Sequence, residues 1–379
     1  PAQRRLYEEA LGASVGEISS PPRAGDVANR HDPQTAGLIQ ETKAAGAKTV
    51  WRCHVGVDEP NDLVRRAWDF LRPYVGAADA CVFSRREYIW EDLDEARCWV
   101  MPPSLDPFCP KNEELGIGTV ESILAQIGLT GEPTDGAPTF TRGDGSPGRV
   151  EHAAEILQEE PLPLGAKLVA QVSRWDRLKG AKALLDAFVQ FKRMRSSRTE
   201  RAQRRREIVR LVLAGPTPRS IQDDPEAVDV LAHLSSRYAR LPEALQADIA
   251  LLALPMTSRK HNALMVNCLQ RCSAVVVQNS LAEGFGLTAT EAMWKGVPVL
   301  ASRACGLRQQ VRDGLDGRLV DDATDSRALA ETMDAVLAAS KQRQAWGRSA
   351  QRRVYDEFLI FTQVRVWLRV LSSVARRST

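Results

Sequence analysis

Short runs of β-branched and apolar residues recur along this chain, each followed by a longer amphipathic segment, and that alternation marks a parallel sheet covered by helices. The runs that read as strands are Lys48 to Cys53, Asp79 to Phe83, Cys98 to Met101, Leu168 to Ser173, Val209 to Ala214, Ala274 to Gln278 and Val297 to Ala301. Between them Leu63, Ala67, Phe70 and Tyr74 lie at helical spacing, as do Leu184, Phe188 and Phe191. The pattern predicts a doubly wound α/β protein. At 379 residues the chain exceeds one ordinary core, so two domains with a cleft between them are expected. The stiff stretch Pro102 to Pro110 (PPSLDPFCP) lies between the two strand series and marks the junction. Gly131 to Arg149 has almost no apolar content and reads as an exposed loop.

Lys and Arg total 51 against 48 Asp and Glu, a net charge of +3, too small to draw the protein to nucleic acid or an anionic membrane. Lys192 to Arg206 carries eight basic residues and one acid but no aromatics on which bases could stack; it reads as a solvated helix end and loop. The seven cysteines form an odd set without a CxxC pair, as in a reduced cytoplasmic protein. Cys268 and Cys272, with His261 nearby, fit no zinc spacing, and a helix face explains them; no metal is expected. No segment approaches the roughly 20 apolar residues of a membrane helix. The chain opens on Pro1 rather than Met, and a start further upstream is expected.

The most informative segment is Ser280 to Ser302 (SLAEGFGLTATEAMWKGVPVLAS), which reads as loop, helix and strand. Gly284 and Gly286 allow a tight turn, Thr288 and Glu291 have the spacing of a capping box, Gly296 ends the helix and Pro298 opens the next strand. A phosphate at that turn would meet backbone N–H groups and the positive end of the helix dipole, with Glu283 beside it. A second piece, Gln171 to Gly180 (QVSRWDRLKG), puts Arg174 and Lys179 just beyond the carboxyl end of a strand, where two cations can neutralise a diphosphate. The run GFGLTA also satisfies the dinucleotide fingerprint G-x-G-x-x-A, so an NADP-dependent oxidoreductase is the rival from another class. Against it, Asn279 to Glu283 separate the fingerprint from its strand and no acid ends the next strand, although Arg303 could meet a 2′-phosphate.

Glu283 and Glu291, seven residues apart around GFGLTAT, together with SRWDRLKG, resemble the E-x7-E and Arg/Lys donor motifs of glycosyltransferase family four. HDPQTAGLI at His31, WRCHV at Trp51, WDFLRPYV at Trp68, MPPSLDP at Met101 and VNCLQRCSAVVVQNSLAEGFGLT from Val266 look like its trehalose synthase subfamily, over nearly the whole chain. The resemblance implies a GT-B fold, two Rossmann-like domains facing across a cleft. An N-terminal acceptor-side domain would span residues 1–107 and a nucleotide-sugar-binding domain residues 108–352, with a terminal helix in 353–379 returning to the first. It implies a retaining transfer of glucose from a nucleoside-diphosphate-glucose to glucose, giving trehalose. Arg174 and Lys179 would hold the diphosphate in place of a metal, Mg2+ being allowed but not required, and there is no cofactor. Gly284, Phe285, Gly286, Leu287 and Thr288 would line the turn, Glu291 would bind the ribose and Asn267 would lie near the base. Glu283 and His54 would contact the donor sugar, with Arg52 and His31 on the acceptor side.

Two features depart from that pattern. The family's opening strand and glycine-rich loop are not found, so an incomplete N-terminal domain is expected. Gly56 stands where the family usually carries Asp. A trehalose phosphorylase using glucose 1-phosphate and a catalytically inactive remnant are the alternatives to a synthase. A homodimer is left open.

Overall fold

The computed structural model describes residues 2–15, 21–131, 136–163, 165–198, 208–220 and 226–376. They divide into two compact units, Pro1–Ser104 with Ile360–Thr379, and Leu105–Leu359. The division falls three residues before the junction expected at 107/108, and the chain returns at Ile360 rather than at residue 353.

The first unit is built on a parallel sheet in the order β1 (Val27–His31), β2 (Lys48–Cys53), β3 (Ala80–Phe83) and β4 (Cys98–Val100). Alternation along β2 sends Val50 to one face, where it meets Val82, Met101, Val370 and Val374. Trp51 goes to the other, against Phe83 at 5.8 Å and Trp90 at 5.3 Å between ring centroids. Trp68 stacks on Trp90 at 5.6 Å. The helix Asp62–Val75, capped by the Asn61 side chain, buries Trp68, Leu71, Tyr74 and Val75. Its expected stripe is rotated, for Leu63 is exposed; the tryptophan supplies more apolar area and wins the inward face.

The second unit carries an antiparallel hairpin, β5 (Thr139–Thr141) with β6 (Pro147–Arg149), and a seven-stranded sheet. In chain order that sheet comprises β7 (Glu155–Leu157), β8 (Lys167–Val172), β9 (Val209–Pro216), β10 (Ile249–Leu254), β11 (Ser273–Gln278), β12 (Val299–Ser302) and β13 (Gly317–Val320). Their spatial order is β13-β12-β11-β8-β9-β10-β7, parallel except for the edge strand β7. Helices cover both faces: Leu184, Phe188 and Phe191 pack beneath Val169, Leu213 and Val277, while Leu264, Met265 and Leu269 pack over Leu168, Ala170 and Val172. The segment read as a loop over 131–149 is partly this hairpin. Phe140 anchors it, edge-on to His261 and under the Lys260 ammonium at 4.3 Å. Of the basic run at 192–206, residues up to Arg198 continue the helix Ala181–Arg198, and the rest lies outside the described residues. The seven cysteines are free thiols. Among the described residues no helix is long and apolar enough to cross a membrane.

Gly56 has a local explanation, since any β-carbon there would overlap the ring of Tyr88, which is fully buried. Restoring the family residue by Gly56→Asp is expected to destabilise the protein by about 2 kcal/mol through overpacking. In thermal melts, Tyr88→Ala in the same chain should make the Gly56→Asp penalty smaller than in the wild-type background. Additive losses would show that the two positions do not clash.

Candidate active site

In the second unit the strand order runs outward in opposite directions from the β8–β11 pair, so that pair is the topological switch point, where open α/β sheets bind ligands beyond the strands' carboxyl ends. Both chemical motifs leave from it. After β8, Asp176 caps a short 3-10 turn, Arg177–Lys179, by accepting from Leu178 N at 2.8 Å. Gly180 ends the turn at φ +66, packed so closely on Asn279 that a β-carbon would overlap the Asn279 carbonyl oxygen. After β11, Asn279 N donates to Gln171 Oε1 at 3.4 Å, Leu281 N donates to Leu178 O at 2.7 Å, and Gln171 Nε2 donates to Lys179 O at 2.9 Å. These bonds knit the two loops together and bring Lys179 Nζ to 2.7 Å from Glu283 Oε2. Both side chains are mostly buried, at 17% and 13% exposed, and Ser280 Oγ donates to the same carboxylate oxygen at 3.1 Å. Arg174 is more exposed and pairs with Asp176 at 3.5 Å.

Gly284 to Thr288 form the turn and helix start that the sequence predicts, but the capping box does not form. The helix Leu287–Trp294 begins after Gly286, which is its N-cap at φ +89 and makes no side-chain cap. Thr288 is therefore already inside the helix and Glu291 lies too far along to reach back. Phe285 is buried in a core with Met293 and Phe358, and its carbonyl accepts from Gln310 Nε2, which fixes the turn from behind. Leu287 stands half-exposed at the helix start. Gly296, at φ +71, follows the helix, and β12 begins after Pro298, as predicted.

Glu291 is only 5% exposed. Its Oε1 lies 3.4 Å from Lys111 Nζ, while its Oε2 is buried without a hydrogen-bond partner. Four residues on, Lys295 Nζ donates to Glu291 O at 3.1 Å and to Asn112 Oδ1 at 3.3 Å. Burial pushes the Lys295 ammonium down to about 7, against the attraction of Glu291. Asn267, expected near the base, has its amide committed inside the protein. It is fully buried, its amide donates to Pro110 O at 3.0 Å and Glu113 O at 2.9 Å, and its oxygen accepts from Arg271 Nε at 2.9 Å, so it fastens the loop that carries Lys111. Arg303 pairs with Asp321 and, at 3.7 Å, with Asp313, so the cation required by the NADP reading already has acidic partners. Among the described residues no group of three His, Cys, Asp or Glu could hold a metal ion.

In the first unit, His31 and His54 meet at the carboxyl ends of β1 and β2. Their rings stack at 5.3 Å and 11°, with His31 Nδ1 3.1 Å from His54 Nε2. Asn29 Nδ2 lies 2.9 Å from His31 Nε2. With that amide donating, His31 Nε2 accepts and its Nδ1 donates to His54 Nε2, which leaves the His54 proton on Nδ1. Asp32, the one non-glycine with positive φ among the described residues (+57), accepts from His54 N at 2.6 Å. Arg52 lies inside the unit, 1% exposed, with Ser84 Oγ at 3.3 Å. Burial foremost, then Arg52 and His31, hold the His54 pKa below its usual 6.5 against the opposing pull of Asp32.

Sequence reasoning missed Gln171, Asn279, Ser280, Lys111, Lys295 and Asp32. The intervening Asn279 to Glu283, which counted against a dinucleotide fingerprint, was the available signal, because a loop of that length is what lets Glu283 reach Lys179.

Two Rossmann-like units, with a cation–carboxylate pair beside a glycine turn at the switch point of the larger one, define a GT-B glycosyltransferase. The pattern of the family "Glycosyl transferases group 1" matches residues 153–353, and that of "Trehalose synthase, N-terminal domain" matches residues 1–90. A trehalose synthase of Thermococcus litoralis is 31% identical over 343 residues, covering 90% of this chain and 68% of the relative. A trehalose phosphorylase of Pleurotus sajor-caju is 27% identical over 315 residues, covering 79% of this chain and 38% of that one. The solved structure of an alpha,alpha-trehalose-phosphate synthase (UDP-forming) from Burkholderia vietnamiensis shares the fold at TM-score 0.64 and 18% identity, covering 99% of this chain and 78% of that one. The chain belongs to the trehalose synthase family of group 1 glycosyltransferases.

NMR titration of the His54 ring is expected to give a pKa below 6.5, rising when His31 is replaced by Ala. Since folding favours the neutral ring, this group's contribution to stability is complete above pH 6.5 and is lost as the pH falls below it. An unshifted His54 pKa in both proteins would remove the pairing.

Proposed function

We propose that the chain transfers glucose from a nucleoside-diphosphate-glucose to glucose with retention of the α configuration, forming trehalose. The observation that carries this reading is the Lys179–Glu283 pair at 2.7 Å beside the start of the helix Leu287–Trp294. A bound diphosphate brings more negative charge than one carboxylate, so it would draw Lys179 away from Glu283, with Arg174 and the N-terminal N–H groups of the helix completing its neutralisation. Glu283, so released, would accept hydrogen bonds from donor-sugar hydroxyls. The bond from the anomeric carbon to the phosphate oxygen breaks as the acceptor hydroxyl attacks the same face. The acceptor proton passes to the leaving phosphate, so no protein base is required. Lys179 and the helix N-terminus stand where negative charge grows, and there they stabilise the transition state more than the ground state. His54, neutral with a proton on Nδ1, would donate to the donor glucose. Glu291 would accept from the ribose.

The test runs the reaction in reverse: protein, trehalose, and either ADP, GDP, UDP or inorganic phosphate, with the glucose-containing product identified. Nucleoside-diphosphate-glucose is expected and would name the base. Glucose 1-phosphate would make the chain a phosphorylase, and no product would overturn both readings. Glu283→Ala and Lys179→Ala are each expected to lower turnover by a factor of at least about 10² while leaving the melting temperature within a few degrees. Unchanged turnover in either variant would take that residue out of the site.

A further inference from the structure

Glu291 presents an unusual electrostatic situation. Its carboxylate is sealed inside the second unit, one oxygen has no donor at all, and the ammonium paired with the other comes from Lys111, on the loop that follows Pro110. An acceptor left without a donor in the interior is costly, and such groups occur where a ligand supplies the missing partner. Lys295 cannot fill that role. Its ammonium is turned to the Glu291 carbonyl and to Asn112 Oδ1. The Lys111 loop is in turn held from three sides: Asn267 binds Pro110 O and Glu113 O, Arg271 binds Glu113 O at 2.8 Å, and Trp294 Nε1 donates to Asn112 O at 3.2 Å. A side chain that is itself 40% exposed is thus delivered to a buried carboxylate by a rigid loop.

We propose that Lys111 is a positioning residue for the donor's ribose, acting through Glu291. Its ammonium fixes one carboxylate oxygen, and the unpartnered oxygen accepts from the vicinal hydroxyls of a ribose. The proposal rests on the reading of this site as a nucleoside diphosphate site. It adds that recognition of the sugar of the nucleotide, and not of its phosphates, depends on a residue outside the E-x7-E segment.

The experiment measures affinities by calorimetry for whichever of ADP, GDP and UDP binds, and for its 2′,3′-dideoxy counterpart, in the wild type, Lys111→Met and Lys111→Arg. The wild type is expected to prefer the ribonucleotide by about tenfold or more, the scale of a hydrogen bond to a charged group. Lys111→Met should cut that preference to less than about threefold by weakening the ribonucleotide alone, and Lys111→Arg should restore most of it. Equal weakening of both ligands would mean that Lys111 acts on the phosphates. An unchanged or stronger ribose preference in Lys111→Met would mean that it does not act through Glu291. Either result overturns the proposal while leaving the nucleotide site intact. Failure of the wild type to bind any nucleoside diphosphate would overturn the site reading and this proposal with it.

Discussion

At the end of β8 the backbone of Gly180 lies so near the carbonyl of Asn279 that not even a methyl group fits between them, and the pairing of Lys179 with Glu283 follows from that approach. The contact is available because two parallel strands adjacent at the switch point send their following loops to the same edge. Gly180 tolerates the left-handed conformation that turns the chain back, and Asn279, fully buried, bridges to Ala323 O at 2.8 Å. The charged groups therefore sit on two loops that behave as one rigid piece. Backbones held this way need little reorganisation when a ligand arrives and only the Lys179 side chain has to turn, which is close to the condition under which fixed charges act on a transition state.

The two units handle charge in opposite ways. In the larger one a cation and a carboxylate are held together with low exposure, poised for a strongly anionic ligand to compete for the cation. In the smaller one a buried cation keeps its neighbour uncharged. Arg52 is buried and its guanidinium is pushed down to about 10, while His54 is kept neutral by burial and by that same arginine. A neutral imidazole suits a sugar hydroxyl, which needs a directed donor and gains little from a net charge. The strained backbone at Asp32 turns that chain segment so that Asp32 can accept from His54 N and Trp51 Nε1, fixing the ring's base at the strand end.

Much of the fold was legible because parallel strands buried on both faces are short apolar runs, as at Lys167–Val172 and Ser273–Gln278. The strands that escaped did so for identifiable reasons. β1, VANRH, is an edge strand whose residues are half-buried at most, so its sequence is polar. β10, IALLAL, is rich in leucine and alanine and has no strand period, because all its residues are buried. β13 is a four-residue edge strand. The candidate site was legible where its residues lie within one local segment, as Glu283 to Glu291 do. It was not legible where the partners are distant in sequence: Lys111 meets Glu291 across the fold, and no local spacing announces that. The bracing bonds of Asn267 to Pro110 O and Glu113 O were hidden for the related reason that a motif resemblance shows which residue recurs and not which way its amide turns.

Glu291 illustrates how local and tertiary explanations of one residue can be told apart. Read as a helix cap it would be a surface group satisfied by its own backbone, and its replacement would affect only the helix end. The helix starts after Gly286, so Glu291 is its fifth residue, too far along for its side chain to reach back to the first N–H groups. What remains is a carboxylate inside a core with one oxygen unpartnered and a lysine brought to the other by a loop braced on Asn267 and Arg271. Folding alone gains nothing from such an arrangement, because an apolar side chain of similar size would pack there without the desolvation penalty. A residue that is unfavourable for folding where it stands, eight positions from the carboxylate paired with Lys179, is what the proposed ribose contact would account for, since the ligand's hydroxyls would complete it.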